Sequence, residues 1–231
     1  MRKIHSLINL IYNPKTDRYD TLRDEWEWYD GPIAKSGGLP VIQHTDWAFY
    51  DDGTESGSVI IGTENTNPTL DVDTLYLYRG GTHETSGNRY TNLSCQIQYN
   101  LNGGGFNTVG TGSNVVKTSI SANLTDQSST TQRITAGQFV NIVNNYAVDN
   151  ANGVAGTIAD PKSNGFECLW PFEIISGDVS DGDSIELKII FNGAGDLDQY
   201  NQTNPTITVN KPVGGISIPV VMNHLKNQGI S

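Results

Sequence analysis

Apolar residues fall at every second position over several stretches of the chain. Successive side chains along a strand point to opposite faces, so this alternation predicts strands with one face buried and the other in water. In LSCQIQYNL the odd set Leu93, Cys95, Ile97, Tyr99 and Leu101 is apolar, while Ser94, Gln96, Gln98 and Asn100 stand between. In SIELKIIF the set Ile185, Leu187, Ile189 and Phe191 faces one way and Glu186 and Lys188 the other. In FECLWPFEII the even set Phe166, Cys168, Trp170 and Phe172 does the same, and Pro171, which donates no ladder hydrogen bond, predicts an edge or a bulge. The glycines after Asn102 supply the positive φ angles of a tight hairpin reversal.

Further strands are expected at VIQHTDWAFY, SVIIG, TLDVDTLYLYR, FNTV, NVVKTSISANL, TQRIT, QFVNIV and PTITVN, separated by Gly, Asn, Asp and Ser clusters. About ten strands between residues 41 and 211 imply two packed sheets. The fold class is therefore all-β, an antiparallel two-sheet sandwich that is jelly-roll-like or, as the alternative, immunoglobulin-like. No long helical period and no internal repeat interrupts it.

The two ends of the chain differ from the middle. Residues 1–40 read as an N-terminal arm or hairpin, with strands expected at LINLIY and within RYDTLRDEWEWYDG. There Trp26 and Trp28 alternate with Glu25 and Glu27, so both indoles, with Tyr29 beside them, would share a face too apolar for water. After Pro212 a flexible Gly-Gly leads into SIPVVMNHL, where Val220, Val221 and Leu225 make a small apolar face. Residues 212–231 read as a docking tail, since a detached apolar segment usually docks on something. Trp26, Trp28, Tyr29, Val220, Val221 and Leu225 are the expected partner-binding residues.

Composition narrows the function classes. Apolar residues make up only 36% of the 231, with 25 glycines, which favours strands and turns over helices. A formal net charge of −11, with no basic stripe, argues against direct nucleic-acid binding and suits a displayed, soluble surface. The apolar run LINLI is too short for a signal sequence, and nothing approaches a membrane span. Cys95 and Cys168 both fall on apolar faces and read as buried thiols of a chain made in a cytosol. Asn92, Asn123 and Asn201 begin glycosylation sequons by pattern only.

Candidate chemistry is sparse. His5, His44, His83 and His224 show no zinc spacing, and neither a nucleophile elbow nor a phosphate loop is present. Asp51, Asp52, Glu55 and Glu64 cluster after WAFY and read as loop decoration, and Glu167 and Glu173, flanking Trp170, read as facing water. Either group could hold a glycosidase acid only if folding opposed two carboxylates. Asp178, Asp181 and Asp183 around Gly182 resemble a calcium loop in composition but lack its order, and a turn explains them. Trp47 and Trp170 lie in apolar sets and read as core rather than as a sugar platform. No cofactor, metal or catalytic residue is expected.

The stretch WAFYDDGTESGSVIIGTENTNPTLDVDTLYLYR resembles a β-sandwich module of structural proteins in tailed bacteriophages. In that module an aromatic strand runs into a DDGSE-type turn and then a T-N-x-T strand. Here those elements are Trp47, then Asp51, Asp52, Gly53, Thr54 and Glu55, then Thr66 to Thr69. The likeness continues through IQYNLNGGGFNTV, SNVVKTSISANLTDQSSTTQRIT, SGDVSDGDSIELKII and LDQYNQTNPTITV, over residues 42–210. It implies a virion component made in the host cytoplasm: a capsid decoration, cement or head-fibre subunit, or a tail-associated adaptor or fibre protein. The partners implied are the major capsid protein or tail proteins, and further copies of the chain, a trimer being plausible for a fibre. The rival expectations are a carbohydrate-binding module or adhesin and, more weakly, a glycoside hydrolase using Glu167 or Glu55.

Overall fold

A computed structural model describes residues 10–13, 18–21, 39–88, 93–136, 147–151, 154–158, 165–191 and 195–212. Contacts divide the chain into two units, Met1–Pro40 and Val41–Ser231. In the first, β1 (Leu10–Asn13) pairs antiparallel with β2 (Arg18–Thr21), Leu10 opposite Thr21 and Asn13 opposite Arg18.

The second unit is a two-sheet sandwich. Its strands in chain order are β3 (Ile42–Asp51), β4 (Thr69–Asp71), β5 (Leu75–Glu84), β6 (Leu93–Leu101), β7 (Phe106–Thr108), β8 (Val116–Thr118) and β9 (Val154–Ile158). They continue with β10 (Gly165–Ile174), β11 (Ser184–Phe191), β12 (Gly195–Asp196), β13 (Gln199–Tyr200) and β14 (Thr206–Asn210). The first sheet runs β13-β3-β5-β10-β8 and the second β4-β14-β11-β6-β7, with β9 paired to β6 and β12 to β11. Pairing is antiparallel except at two edges, where β13 lies parallel to β3 and β4 parallel to β14. Among the described residues the one helical turn is a 3-10 turn at Ser176–Asp178.

The core lies between the sheets. Trp47, Phe49, Tyr78, Phe166, Trp170 and Phe172 of the first sheet meet Ile97, Tyr99, Ile185, Leu187, Ile189 and Ile207 of the second. Its rings are arranged in offset contacts, with Tyr78 stacked on Trp170 at 5.8 Å and Phe49 tilted against Tyr78 at 5.2 Å. Trp47 and Trp170 are core, as the alternation predicts, and so are both cysteines. The reversal after β6 places Asn102, Gly103 and Gly105 at positive φ, as the glycines there require.

Several expected strands differ. TLDVDTLYLYR is two strands in two sheets: Asp73 takes φ 53°, its carboxylate accepts from Ser176 N, and the chain crosses over between Asp71 and Leu75. SVIIG forms no strand, only an isolated bridge between Ile60 and Tyr50. It runs beside β3 through Asp51 N to Val59 O and Ile61 N to Phe49 O, leaving Val59 65% exposed. NVVKTSISANL keeps strand geometry only at Val116–Thr118, after which Ile120 is 74% exposed. TQRIT is irregular, because its backbone donors are taken by carboxylates rather than by a neighbouring strand. QFVNIV lies outside the described residues.

Pro171 sits inside the first sheet, between β5 and β8, rather than on an outer edge. Its carbonyl accepts from Ser119 N, so its nitrogen faces the same side, just past the last β8 pair at Phe172 and Thr118. β8 ends at Thr118, so the proline nitrogen faces the chain just beyond the regular ladder, where a residue without an N–H is tolerated.

Candidate functional site

The partner-binding residues expected from sequence, Trp26, Trp28, Tyr29, Val220, Val221 and Leu225, lie outside the described residues, as do His5 and His224. The chemistry the structure does place is on the sandwich itself, in two regions of the first sheet.

The first region is the outer face of that sheet, which sequence alternation assigns to water. On β10, Glu167 is fully buried rather than exposed, and so is Arg79, which lies diagonally across on β5, two residues from Glu167's register partner Gly81. Arg79 Nη1 donates to Glu167 Oε2 at 2.6 Å and to Thr131 O at 2.8 Å. Its Nη2 donates to Glu55 Oε1 at 2.7 Å and to Glu55 O at 2.8 Å. Glu167 Oε1 also accepts from Arg133 N and Ile134 N, at 2.9 and 2.8 Å. Burial pushes the Glu167 carboxyl above its ordinary range, while Arg79 and the two backbone donors pull it back down. Arg133 lies over the Tyr50 ring at 4.4 Å and donates to the Ser58 hydroxyl and carbonyl, both at 2.7 Å. A small apolar cluster of Ala48, Tyr50, Leu77, Leu124, Val148 and Leu169 lies on the same face.

Carboxylates hold this roof to the sheet. Glu55 accepts from Thr131 N, Glu167 from Arg133 and Ile134, and Glu64 from Thr135 N and Ala136 N. Asp51 accepts from Val59 N, and Asp52 from Ser121 Oγ and Asn123 Nδ2. Asn150 closes the far side, donating to Ser121 O and Leu124 O. The cluster Asp51, Asp52, Glu55 and Glu64 is thus structural: Glu55 and Glu64 accept backbone N–H groups of the irregular segment 131–136, Asp51 accepts Val59 N, and Asp52 accepts from the Ser121 and Asn123 side chains. Glu173, by contrast, is part-exposed and pairs with Lys117 at 3.2 Å across β10 and β8.

The calcium-like loop is also self-contained. Asp183 accepts from Ser180 N and Asn102 Nδ2, and Asp181 from Lys211 N. The cation held there is the Lys211 ammonium, which donates to Ser176 O at 2.6 Å and Val179 O at 2.8 Å. Among the described residues no group of three or more His, Cys, Asp or Glu could hold a metal ion.

The second region is a bulge in β3. His44 pairs with Thr82 and Trp47 with Gly80, so Thr45 and Asp46 together face one residue of β5. Such a bulge bends the strand and re-aims side chains. Asn65, at φ 57°, fixes it: its Nδ2 donates to Asp46 Oδ1 at 2.7 Å, and its Oδ1 accepts from Trp47 N at 3.0 Å. Beside the bulge opens a cleft of about 430 Å³, lined by Gln43, Thr45, Asp46, His83, Ala136, Asn201 and Gln202. Its lining supplies amides, one carboxylate and one imidazole, but no Trp, Tyr or Phe ring. His44 points the other way into the fold, fully buried, edge-on to Tyr200 at 6.0 Å and without a hydrogen bond at either ring nitrogen. Burial holds its pKa down at about 4.

Sequence reasoning missed the Arg79–Glu167 pair and the bulge cleft. The signal that existed for the pair was an arginine inside the apolar run LYLYRGG and a glutamate inside FECLWP, each a charge flanked by core residues. Their pairing is non-local, so neither could name the other. No protein-family model matches the chain, and no curated protein matches it.

Proposed function

We propose that the chain is a structural protein of a bacteriophage virion, a capsid decoration, cement or head-fibre subunit that attaches through its terminal segments. One observation carries the reading: the phrases that resemble the phage module are the ones that clamp the sandwich together. In the DDGTE turn, Asp51, Asp52 and Glu55 fasten Val59, Ser121 and Thr131. In TENTNPT, Glu64 fastens Thr135, Asn65 fixes the bulge and Asn67 accepts from Thr206 N. Residues spent on holding loops to a scaffold suit a load-bearing module. The acidic, amide-rich exterior suits display at high copy number.

Attachment in this reading belongs to Trp26, Trp28, Tyr29, Val220, Val221 and Leu225. Each apolar side chain buried against a neighbouring subunit contributes about 1.5–3 kcal/mol, and repetition around a symmetric particle multiplies weak contacts. The partners are other virion subunits and further copies of the chain. Chains lacking residues 1–35, residues 213–231 or both are expected to stay folded by circular dichroism and to stop co-sedimenting with virions. Retained co-sedimentation of the doubly truncated chain overturns the docking role.

The polar cleft beside the bulge favours a second reading, a carbohydrate-binding module for host-surface glycan, since amides and a carboxylate are the groups that hydrogen-bond sugar hydroxyls. Binding of a polysaccharide on a glycan array, lost in Asp46→Ala, would put that reading first.

A further inference from the structure

We propose that the cleft beside the β3 bulge takes an amino sugar, its ammonium held by Asp46 and its hydroxyls by the side-chain amides around it. The proposal rests on the carbohydrate reading of that cleft and narrows it to cationic sugars.

Unsatisfied polarity is concentrated at the bulge. Buried polar side chains are ordinarily hydrogen-bonded, so several unpaired ones around one cleft mark where a ligand completes the set. Gln43, Thr45 and Asp46, three of four consecutive β3 residues, line the cleft and are only 7, 6 and 5% exposed. Among the described residues the Gln43 amide has no hydrogen-bond partner, and the enclosed Thr45 hydroxyl has none either. Asp46 accepts one bond, from Asn65 Nδ2 to Oδ1, which leaves Oδ2 uncommitted. That bond and the one from Trp47 N to Asn65 Oδ1 fix the bulge, so the carboxylate is oriented before any ligand arrives.

The sign of the site selects the ligand. Asp46 is the carboxylate of the lining, and Glu64, which accepts from the lining residue Ala136 at its N–H at 2.6 Å, adds a second close by. Among the described residues of the lining there is no lysine or arginine, so an anionic sugar would meet carboxylates without a countercharge. Nor is there a Trp, Tyr or Phe ring to cover the apolar face of a neutral pyranose, which is left with neutral hydrogen bonds alone. An ammonium at Asp46 Oδ2 makes a charge-assisted bond, roughly twice as strong as a neutral one. The amides of Gln43, Asn201 and Gln202 each offer an acceptor and a donor, the two functions that a hydroxyl answers. At about 430 Å³ the cleft falls within the range of about 300–1,000 Å³ typical of small-molecule sites.

The test titrates the full chain by calorimetry at neutral pH with β-1,4-linked diglucosamine, its N,N′-diacetyl form and cellobiose, which share a backbone and differ at C2, and with digalacturonate as the anion. Diglucosamine is expected to bind at least about ten-fold more tightly than either neutral disaccharide, with an affinity that falls as salt is added, and digalacturonate is expected not to bind. Asp46→Asn is expected to bring diglucosamine down to the level of the neutral pair. Glu173→Gln removes a charge elsewhere on the first sheet and is expected to leave binding unchanged, which separates the cleft from the general pull of a −11 chain on a cation. If Asp46→Asn fails to fold, the side-chain amide resonances of Gln43, Asn201 and Gln202 in the wild-type chain should move on titration with diglucosamine; movement confined to other residues overturns the proposal. Equal weakening by Glu173→Gln also overturns it. Cellobiose binding as tightly as diglucosamine overturns the ammonium assignment and leaves the carbohydrate reading standing, whereas binding of no disaccharide overturns both.

Discussion

β10 and β11 are written in the same alternating style and belong to different sheets. On β11 the alternation holds from Ile185 to Ile189, with Ile185, Leu187 and Ile189 buried and Glu186 and Lys188 partly exposed, and lapses only at the strand's end, where Ile190 is buried and Phe191 partly exposed. On β10 it fails, with Glu167, Leu169 and Pro171 as buried as Phe166, Cys168 and Trp170. The difference is the roof. The second sheet's polar residues meet one another and solvent, as where Lys188 Nζ reaches Asp196 at 2.7 Å and lies over the Phe106 ring at 4.1 Å. The first sheet's outer face is covered by irregular segments that bring backbone N–H groups with no strand to pair with, and carboxylates satisfy them, Glu167 fully buried and Glu64 partly so. Alternation reports which face of a strand is apolar; it does not report whether the other face is wet.

The sharpest way to break the comparison is to remove a charge from each sheet. Glu167→Gln leaves Arg79 buried with half its acidic partners, and losing one member of a buried pair typically costs about 3–5 kcal/mol. Urea unfolding should register most of that. A loss below about 1 kcal/mol would mean the roof is wet and the two faces are alike.

Next in size is an acid effect confined to the first sheet. The His44 pKa in the fold, about 4, is below its unfolded value of 6.5, so above pH 6.5 the ring is neutral in both states and nothing is lost. Between pH 6.5 and about 4 the unfolded chain takes a proton that the fold refuses, at roughly 1.4 kcal/mol per pH unit or about 3 kcal/mol in all. Unfolding free energy measured across that range should fall with pH, and His44→Leu should flatten that part of the curve. An unchanged slope in the variant would assign the acid loss to other groups.

The smallest effect is expected on the second sheet. Lys188→Met removes an ion pair whose acidic member is 62% exposed, and such pairs contribute about 0.2–1 kcal/mol, screened by salt. A change above about 2 kcal/mol in the same urea titration would show that this face is covered too.

The fold class was legible because it rests on local information. Alternation at LSCQIQYNL, SIELKIIF and PTITVN, and the Asn-Gly-Gly-Gly reversal, set strand, face and turn without knowledge of neighbours. The split of TLDVDTLYLYR also had a local sign, since the apolar phase shifts from Leu70 and Val72 to Leu75 and Leu77 across Asp73. The roof had none. TQRIT alternates like a strand, and only the positions of Glu55, Glu64 and Glu167 in space decide that its N–H groups go to carboxylates.

By itself, then, the sequence determined the all-β class, the apolar faces, the hairpin turn and the burial of Trp47, Trp170 and both cysteines. Each follows from side-chain periodicity and backbone preference within a few residues. The tertiary structure alone decided that Glu167 is a buried ion-pair partner and that Thr45 and Asp46 bulge beside a polar cleft. These facts depend on which distant strands become neighbours, and the free energy of such pairings is set by mutual burial that no single segment encodes.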